Sequence, residues 1–283
     1  MEIEQLIEFY AVFGGAEEHI DLLFDETPIQ AIERHILSRY AFFRDKIIPP
    51  ALLRPENRRF LKALARSDGK PINIARRAAI SRSRGEGIYH TLAGVGVLHK
   101  QISRETPPRL QSNGRRRKEE RGYSVQDKVR FTLPFYRFWF TFIEPHANTL
   151  ETGDFTPVFK ALEEGFDRYV SFTFEELANA LIKTRFASET SLLEDGSYWD
   201  RLNEFDLLAR TADKRMIVGE CKWKSHKICK SQLSKLKAKC ARSGLQPHYF
   251  ALFSRSGFSK ELAQSQDPTL LCFELKDFER LLA

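Results

Sequence analysis

The sequence has no long apolar segment. No run of eighteen uncharged apolar residues occurs in its 283 residues, whereas a membrane-spanning helix needs about twenty. The first residues, MEIEQLIEFY, are acidic where a secretory signal is basic and then apolar. These two absences predict a soluble, cytoplasmic protein that has no membrane partner.

Cysteine is scarce, and two catalytic signatures are missing. The four cysteines are Cys221, Cys229, Cys240 and Cys272, without a CxxC pair. This pattern favours a reducing compartment over a disulfide framework. The sequence contains no GxxxxGK[ST] phosphate loop and no nucleophile elbow. It therefore gives no support to ATP hydrolysis or to serine-type hydrolysis.

The positive charge is concentrated in the middle of the chain. Residues 1–53 hold four basic and ten acidic residues (−6), residues 54–130 hold twenty and seven (+13), and residues 131–283 hold twenty-one of each (zero). The net charge of +7 conceals this asymmetry. Concentrated basic charge favours a polyanionic partner, either nucleic acid or an acidic membrane surface. Nucleic acid is the preferred interpretation, with duplex DNA as the expected form.

The basic segment has the pattern of three short helices. Apolar spacing predicts a first helix from Asn57 and a second over residues 72–79. Ser81 or Ser83 would cap a third helix. Two residues weaken that third helix because glycine has a low helix propensity: Gly85 and Gly87. Three short helices with tight turns are typical of a helix-turn-helix.

Two predicted strands follow these helices. Residues 97–102 can pair with residues 122–131 as a hairpin whose loop is basic, so residues 54–130 are predicted to be a winged helix-turn-helix. In that fold the third helix enters the major groove, and the hairpin, called the wing, contacts the phosphate backbone. The alternative for the basic loop is a solvated surface without a partner. The candidate DNA contacts are Arg82, Arg84, Arg115, Arg116, Arg117 and Lys118.

Charged and apolar residues alternate on two predicted strands near the end of the chain. Successive side chains of a strand point to opposite faces, so Glu220 and Lys222 share one face and the apolar residues beside them share the other. A hairpin centred near Asp213 would place Asp206 across from Glu220, at about 5 Å. The three charged side chains would then meet on one face.

This arrangement predicts a metal site. Two adjacent carboxylates resist ionisation unless a cation lies between them. Mg²⁺ suits this position because it prefers oxygen ligands and keeps several waters beside one or two carboxylates, and Mn²⁺ is the alternative ion. The ion would polarise a phosphodiester and activate water, while a protonated Lys222 would orient that water or stabilise developing charge. The alternative is a simple surface ion pair between Glu220 and Lys222.

Two upstream segments have helical spacing. The aromatic run at residues 135–142 follows a proline and predicts core packing rather than base stacking. A second apolar stripe predicts a long amphipathic helix, with Glu175 at its flank, where an acid would hold a metal-bound water. The residues of that stripe are Phe166, Val170, Phe174, Leu177 and Leu181.

The order of a helical acid, a hairpin aspartate and Glu-x-Lys resembles the PD-(D/E)xK restriction-endonuclease-like superfamily. The resemblance implies a mixed sheet flanked by helices. It also implies Asp206 and Glu220 as metal ligands, Lys222 beside the attacking water, and Glu175 as an auxiliary acid. Residues 131–283 would accordingly form a linker helix and a nuclease-like domain.

A second resemblance spans nearly the whole chain. The segments YAVFGG at residues 10–15, LPFYRFWFTFIEP at 133–145, WD at 199–200 and ECKW at 220–223 occur in this order. Together they resemble the archaeal-type ATPase family whose C-terminal part is domain-of-unknown-function family 234. The resemblance implies an ATPase core, a helical lid, a winged helix and a nuclease-like domain. The core is missing here, so residues 1–53 are interpreted as a lid-like helical segment that would dock a protein partner.

The sequence therefore predicts an α+β or α/β protein that binds DNA and cleaves its backbone as a divalent-metal-dependent phosphodiesterase. A non-catalytic DNA-binding or adaptor protein on a nuclease-like scaffold is the alternative. A third hypothesis is a protein-binding module, for which DNA binding would be weak and insensitive to salt.

Overall fold

The protein is represented by a computed structural model that describes residues 2–21, 25–106 and 125–282, and residues 112, 114, 115 and 118. It is a mixed α+β protein, as predicted. Two units are distinguished: Met1–Ile102 with Gln126–Val170, and Ser103–Val125 with Ser171–Ala283. The predicted modules 1–53, 54–130 and 131–283 stay a prediction. None of the helices in the described ranges has the length and apolar character needed to cross a membrane.

The first unit is largely helical. Within the described residues, the α-helices that lie wholly in this unit are α1 (Ile3–Phe13), α2 (Pro28–Ala31), α3 (Tyr40–Phe42), α4 (Pro55–Ala65), α5 (Pro71–Ala78), α6 (Arg82–Gly94), α7 (Pro134–Phe138) and α8 (Ala147–Glu151). The other helical segments described in this unit are the 3-10 segments Glu17–His19, Pro50–Leu53 and Glu144–His146 and the π segments Ile32–Leu37, Phe43–Ile47 and Trp139–Ile143. A two-stranded antiparallel sheet joins β1 (Leu98–Gln101) to β2 (Lys128–Phe131).

The turn after α1 packs against the beginning of α7. Gly15 has a φ of +89°, in the left-handed region, and an added Cβ would lie 2.8 Å from the Leu133 side chain. The carbonyl oxygen of Gly14 accepts the Phe135 N–H at 3.0 Å. Only glycine fits this combination of backbone conformation and close contact. The Gly-Gly pair therefore has a structural role within the first unit.

Helices α4, α5 and α6 pack together and lead into the β1–β2 pair, which matches the predicted order of elements. Of the two predicted caps for α6, Ser81 is the one used, and its Oγ accepts the Arg84 N–H at 3.2 Å. The helix continues through both glycines. At Gly85 an added Cβ would lie 3.7 Å from Phe60, an ordinary van der Waals distance, so the packing of α6 on α4 does not require glycine there.

Gly87 offers a test of this helix. A Cβ at Gly87 would meet no atom within 4 Å, so replacement by alanine adds helix propensity without a clash. We expect Gly87→Ala to raise the free energy of unfolding by about 1 kcal/mol, measured by urea denaturation.

Gly96 is the matched control for that substitution. It is equally open but has a φ of +75°, so Gly96→Ala should lower stability by about 1 kcal/mol. Equal effects of the two alanines would contradict the helix-propensity argument.

The predicted aromatic run forms the core of the first unit. Phe135, Phe138, Trp139, Phe140 and Phe142 are all buried. Helix α7 begins with Pro134 and continues directly into the π segment. The prediction of core packing is confirmed, and these rings are not available to stack on bases.

The second unit is built on a five-stranded mixed sheet. Helix α9 (Thr156–Phe186) extends from the first unit into the second. The strands of this sheet and of a separate two-stranded pair are, in chain order, β3 (Leu192–Glu194), β4 (Tyr198–Trp199), β5 (Glu204–Phe205), β6 (Leu207–Thr211), β7 (Met216–Lys222), β8 (Tyr249–Ser254) and β9 (Leu270–Glu274). The sheet order is β3-β6-β7-β8-β9, with β4 and β5 as a separate pair. Strands β6 and β7 are antiparallel, whereas β7, β8 and β9 are parallel.

Helices cover both faces of this sheet. Phe174 of α9 packs on Trp223, with ring centroids 5.1 Å apart. On the other face, Leu233 and Leu236 of α10 (Lys230–Arg242) join an apolar cluster with Val218 of β7. Helix α11 (Lys260–Ala263) and the 3-10 segment Leu275–Leu281 complete the unit. The prediction of a mixed sheet flanked by helices is therefore confirmed.

Candidate functional site

The hairpin of β6 and β7 has the predicted register. Leu207 pairs with Gly219, and the pairing continues to Arg210 with Met216, so the hairpin is centred on Asp213. The next positions beyond the Leu207 pair are Asp206 and Glu220. Asp206 lies in a bend between β5 and β6, just before the paired residues.

The alternation of β7 is also as predicted. Cys221 and Trp223 are buried on the side where α9 packs. On the opposite side, Lys222 Nζ donates to Glu220 Oε1 at 2.6 Å. The face of β7 that carries Glu220 and Lys222 is apolar at Met216 and Val218, which pack with α10, and becomes charged only at the end of the strand.

Two lysines hold the Glu220 carboxylate. Besides Lys222 on Oε1, the Nζ of Lys239 in α10 donates to Glu220 Oε2 at 2.7 Å. The Glu220 side chain is only 14% exposed. Burial raises the pKa of Glu220, but the two ammonium groups outweigh it and lower that pKa overall. Glu220 is therefore an ionised carboxylate at neutral pH.

Asp206 is held by main-chain and side-chain contacts at the end of the hairpin. Its Oδ2 accepts the Cys221 N–H at 2.7 Å. Its carbonyl oxygen accepts Nδ2 of Asn179 at 3.1 Å, and the same Nδ2 donates to the carbonyl oxygen of Glu175 at 2.8 Å. Asn179 in α9 thus joins the helix to the position of Asp206.

The pKa values of Asp206, Lys222 and Cys221 are all raised, each by a different balance of burial and neighbouring charge. Burial, and then the charge of Glu220, raise the pKa of Asp206 to about 6. Burial lowers the pKa of Lys222, but Glu220 and Asp206 outweigh it and raise that pKa overall. Burial and the charge of Asp206 raise the pKa of the Cys221 thiol, which is therefore a poor nucleophile. The site therefore contains an aspartate whose ionised form is disfavoured, next to a lysine whose protonated form is favoured.

Glu175 lies in α9, one turn before Asn179. It is half-buried, and its charge is among those that raise the pKa of Cys221. Glu175 is therefore near β7, although in the described part of the chain no three His, Cys, Asp or Glu side chains form a metal-binding group. The structure brings Asp206, Glu220 and Lys222 together, whereas Glu175 belongs to the helix that packs on the other side of β7, beside Cys221.

The donor set suits a hard divalent cation. The site offers two carboxylates on adjacent strand ends, and Mg²⁺ commonly binds through one or two carboxylates with water in its other positions. The raised pKa of Asp206 indicates that its negative charge lacks full compensation. Asp206 and Glu220 are thus the residues that would hold such an ion.

The predicted DNA contacts lie in different surroundings. Arg82 is exposed at the first turn of α6. Arg84 is exposed as well, but its Nε donates to Glu56 Oε2 at 2.9 Å, which ties α6 to α4. Arg115 and Lys118 are exposed. Arg116 and Arg117 lie outside the described residues.

Two site residues were not predicted from the sequence, Asn179 and Lys239. Asn179 lies one helical turn after Glu175, and nothing in the local sequence indicates that its side chain contacts Asp206. Lys239 is one of several lysines on α10, and no local pattern connects it to Glu220. Only its position on the helix is indicated, because Lys239 precedes buried Cys240 and follows Leu236 by three residues, which places it at the border of the apolar stripe.

The fold and the site define a mixed α+β protein with a carboxylate and lysine cluster at the end of a β-hairpin. Residues 139–238 match the family DUF234, described as archaea bacterial proteins of unknown function. The match includes the four predicted catalytic residues: Glu175, Asp206, Glu220 and Lys222. No curated protein and no solved structure matches the chain. The match supports the resemblance to family 234 over residues 139–238.

Proposed function

We propose that the protein is a DNA-binding, divalent-metal-dependent phosphodiesterase with a PD-(D/E)xK-like site. The observation that carries the proposal is the meeting of Asp206, Glu220 and Lys222 at the end of one hairpin. The register places the two acids opposite each other, and Lys222 contacts Glu220 at 2.6 Å. Two carboxylates can bind a metal ion, and an ammonium group can stabilise a phosphoryl transition state.

In the proposed reaction Asp206 and Glu220 would hold Mg²⁺ or Mn²⁺. The bound ion would supply charge neutralisation at the phosphodiester and acidify a water. Cys221 fixes Asp206 through its main-chain N–H, and Asn179 fixes the backbone of Asp206, so the acid is oriented before substrate arrives. Glu175 would contact the water from α9 as an auxiliary acid.

Lys222 has an electrostatic role in this proposal. The neighbouring carboxylates raise its pKa, so it is protonated at neutral pH. A protonated ammonium cannot remove a proton from water, but it stabilises negative charge that develops on the phosphate. Lys222 therefore orients the nucleophilic water and stabilises the transition state.

DNA binding is assigned to the basic segment at residues 54–130, whose helices and strands belong to the first unit and whose residues 103–125 belong to the second. Its α4–α6 helices and β1–β2 pair have the order of a winged helix, and residues 54–130 carry a charge of +13. Arg82 of α6 is a candidate for base or phosphate contact, and the exposed Arg115 and Lys118 are candidates for phosphate contact. Residues 1–53 would dock a protein partner.

A cleavage assay tests the proposed function. Lys222→Met and Asp206→Asn should each lower Mg²⁺-dependent or Mn²⁺-dependent cleavage of labelled duplex DNA by about a hundredfold, because each removes charge from the reacting centre. DNA affinity, measured by fluorescence anisotropy in EDTA, should stay at the wild-type value.

The matched control is Lys235→Met. Lys235 is an exposed lysine of α10, so its removal should leave cleavage unchanged. Cleavage retained in both site variants would refute the assignment, since a contaminating nuclease or another site would then be responsible.

One observation favours the alternative, a non-catalytic DNA-binding or adaptor protein. Both oxygens of Glu220 are already held by ammonium groups, so this carboxylate is compensated without a metal. Under this alternative, duplex DNA would stay intact with Mg²⁺ or Mn²⁺ over a wide protein titration while binding remained tight. The same assay therefore separates the two functions.

A further inference from the structure

Lys239 occupies a position that is suited to a cation. Its Nζ donates to Glu220 Oε2 at 2.7 Å and to the carbonyl oxygen of Glu204 at 3.1 Å. It also lies 5.7 Å from the centre of the Phe205 ring. A carboxylate and a peptide carbonyl are hard oxygen ligands, the kind that divalent ions prefer. The lysine and a metal would therefore compete for the same oxygen atoms.

Glu220 has no free oxygen for a metal. Lys222 holds Oε1, and Lys239 holds Oε2. A divalent ion that binds Glu220 must therefore displace one ammonium group or share an oxygen with it. Sharing is unfavourable because the two cations would repel each other at contact distance.

Lys239 is the group that would leave. Lys222 belongs to the same strand as Glu220 and interacts with both Glu220 and Asp206. Lys239 reaches the carboxylate from a separate element, α10, nineteen residues away, although its side chain is about as exposed as that of Lys222 (27% and 24%). The long and flexible lysine stem allows its ammonium to move into solvent without a change in the sheet.

We propose that Lys239 is the resident counter-cation of the site, and that a divalent metal binds by displacing its ammonium from Glu220. This inference rests on the proposed function. Lys239 is a positioning residue: it keeps the Glu220 carboxylate in place before the metal arrives, and then becomes available to a phosphate.

The charges of the site agree with such an exchange. With both acids ionised, two carboxylates and two ammonium groups are neutral together. When a divalent ion replaces Lys239, the acids, Lys222 and the ion have one net positive charge, which a single phosphodiester neutralises. Retention of Lys239 beside the ion would leave a second positive charge and weaken metal binding.

Metal affinity without DNA gives the primary test. We expect Lys239→Met to bind Mn²⁺ about tenfold more tightly than the wild type by isothermal titration calorimetry, because the charge-assisted hydrogen bond no longer opposes the ion. Lys239→Gln, which is neutral but still polar, should show the same gain, and it replaces the methionine variant if that variant does not fold. Circular dichroism checks the fold of each variant.

Two controls separate charge from packing. Lys239→Arg keeps the positive charge and should bind Mn²⁺ no more tightly than the wild type. Lys235→Met removes an exposed lysine of the same helix and should leave Mn²⁺ affinity unchanged, which excludes a general effect of net charge.

The outcomes distinguish this inference from the proposed function. Equal Mn²⁺ affinities for the wild type and both neutral Lys239 variants would overturn the displacement mechanism and leave the phosphodiesterase proposal intact. No Mn²⁺ binding by any variant would overturn both. Tighter binding by the neutral variants alone supports the exchange, whether or not the wild type cleaves DNA.

Discussion

Asp206→Asn should make the metal-free protein more stable at neutral pH by about 2 kcal/mol. The pKa of the Asp206 carboxyl rises from 3.8 to about 6 on folding because of burial and the charge of Glu220. A shift of this size corresponds to about 3 kcal/mol, and partial contact with solvent reduces it to about 2. Denaturation by urea in EDTA, at pH 4 and at pH 7.5, measures the effect.

The sign follows from the protons bound in each state. Between pH 4 and pH 6, Asp206 is protonated in the folded protein and ionised in the unfolded chain, so unfolding releases a proton. Raising the pH therefore lowers wild-type stability across this interval, and the loss is complete above pH 6. Asparagine has no such transition, so the variant should match the wild type near pH 4 and exceed it at pH 7.5.

Exposed Asp195 provides the matched control, because Asp195→Asn removes one carboxylate of the same unit outside the site. Its difference from the wild type should be the same at both pH values. Adding Mn²⁺ at pH 7.5 should restore wild-type stability toward that of Asp206→Asn, since binding to the folded state is stabilising. An Asp206→Asn variant that is less stable than the wild type at pH 7.5 would contradict the uncompensated-charge argument.

This prediction expresses a conflict between stability and function. Asp206 is useful to a metal because its charge lacks full compensation, and for the same reason it destabilises the metal-free fold. Glu220 differs because two lysines compensate it. The two acids of one proposed site are therefore unequal, and Asp206 has the greater need for a cation.

Much of the hairpin was predictable from the sequence because a strand has a period of two. Alternation alone assigned Glu220 and Lys222 to one face, and a turn centred on Asp213 fixed the register. The long helix α9 was predictable for a similar reason, since its apolar residues recur at helical spacing. Local periodicity therefore located Asp206 opposite Glu220 without any long-range information.

Contacts between distant segments were not predictable in this way. Arg84 is tied to Glu56, twenty-eight residues earlier, and no local pattern indicates that pair. The sequence also does not indicate the π segment Trp139–Ile143, because hydrogen bonding from residue i to i+5 depends on how the surrounding side chains pack. Low helix propensity at Gly85 and Gly87 predicts a weakened α6, yet the helix continues through both residues to Gly94.

Glu144→Ala should lower the free energy of unfolding by about 3 kcal/mol. Glu144 is 2% exposed. Its Oε1 accepts Arg58 Nε at 2.5 Å, and its Oε2 accepts Trp139 Nε1 at 3.0 Å. Alanine leaves the buried indole N–H without an acceptor and removes the partner of Arg58. Urea denaturation followed by circular dichroism measures the loss.

Glu151 supplies a matched control, because it forms an ion pair with Arg44 in the same unit but its side chain is 55% exposed. Glu151→Ala should cost about 0.5 kcal/mol, as exposed pairs contribute little. A similar loss for both glutamates would show that burial of Glu144 does not decide its effect. A much larger loss for Glu144→Ala would instead explain why the FIEP segment at residues 142–145 has an acid directly after a run of core aromatics: the acid satisfies the one polar atom of Trp139.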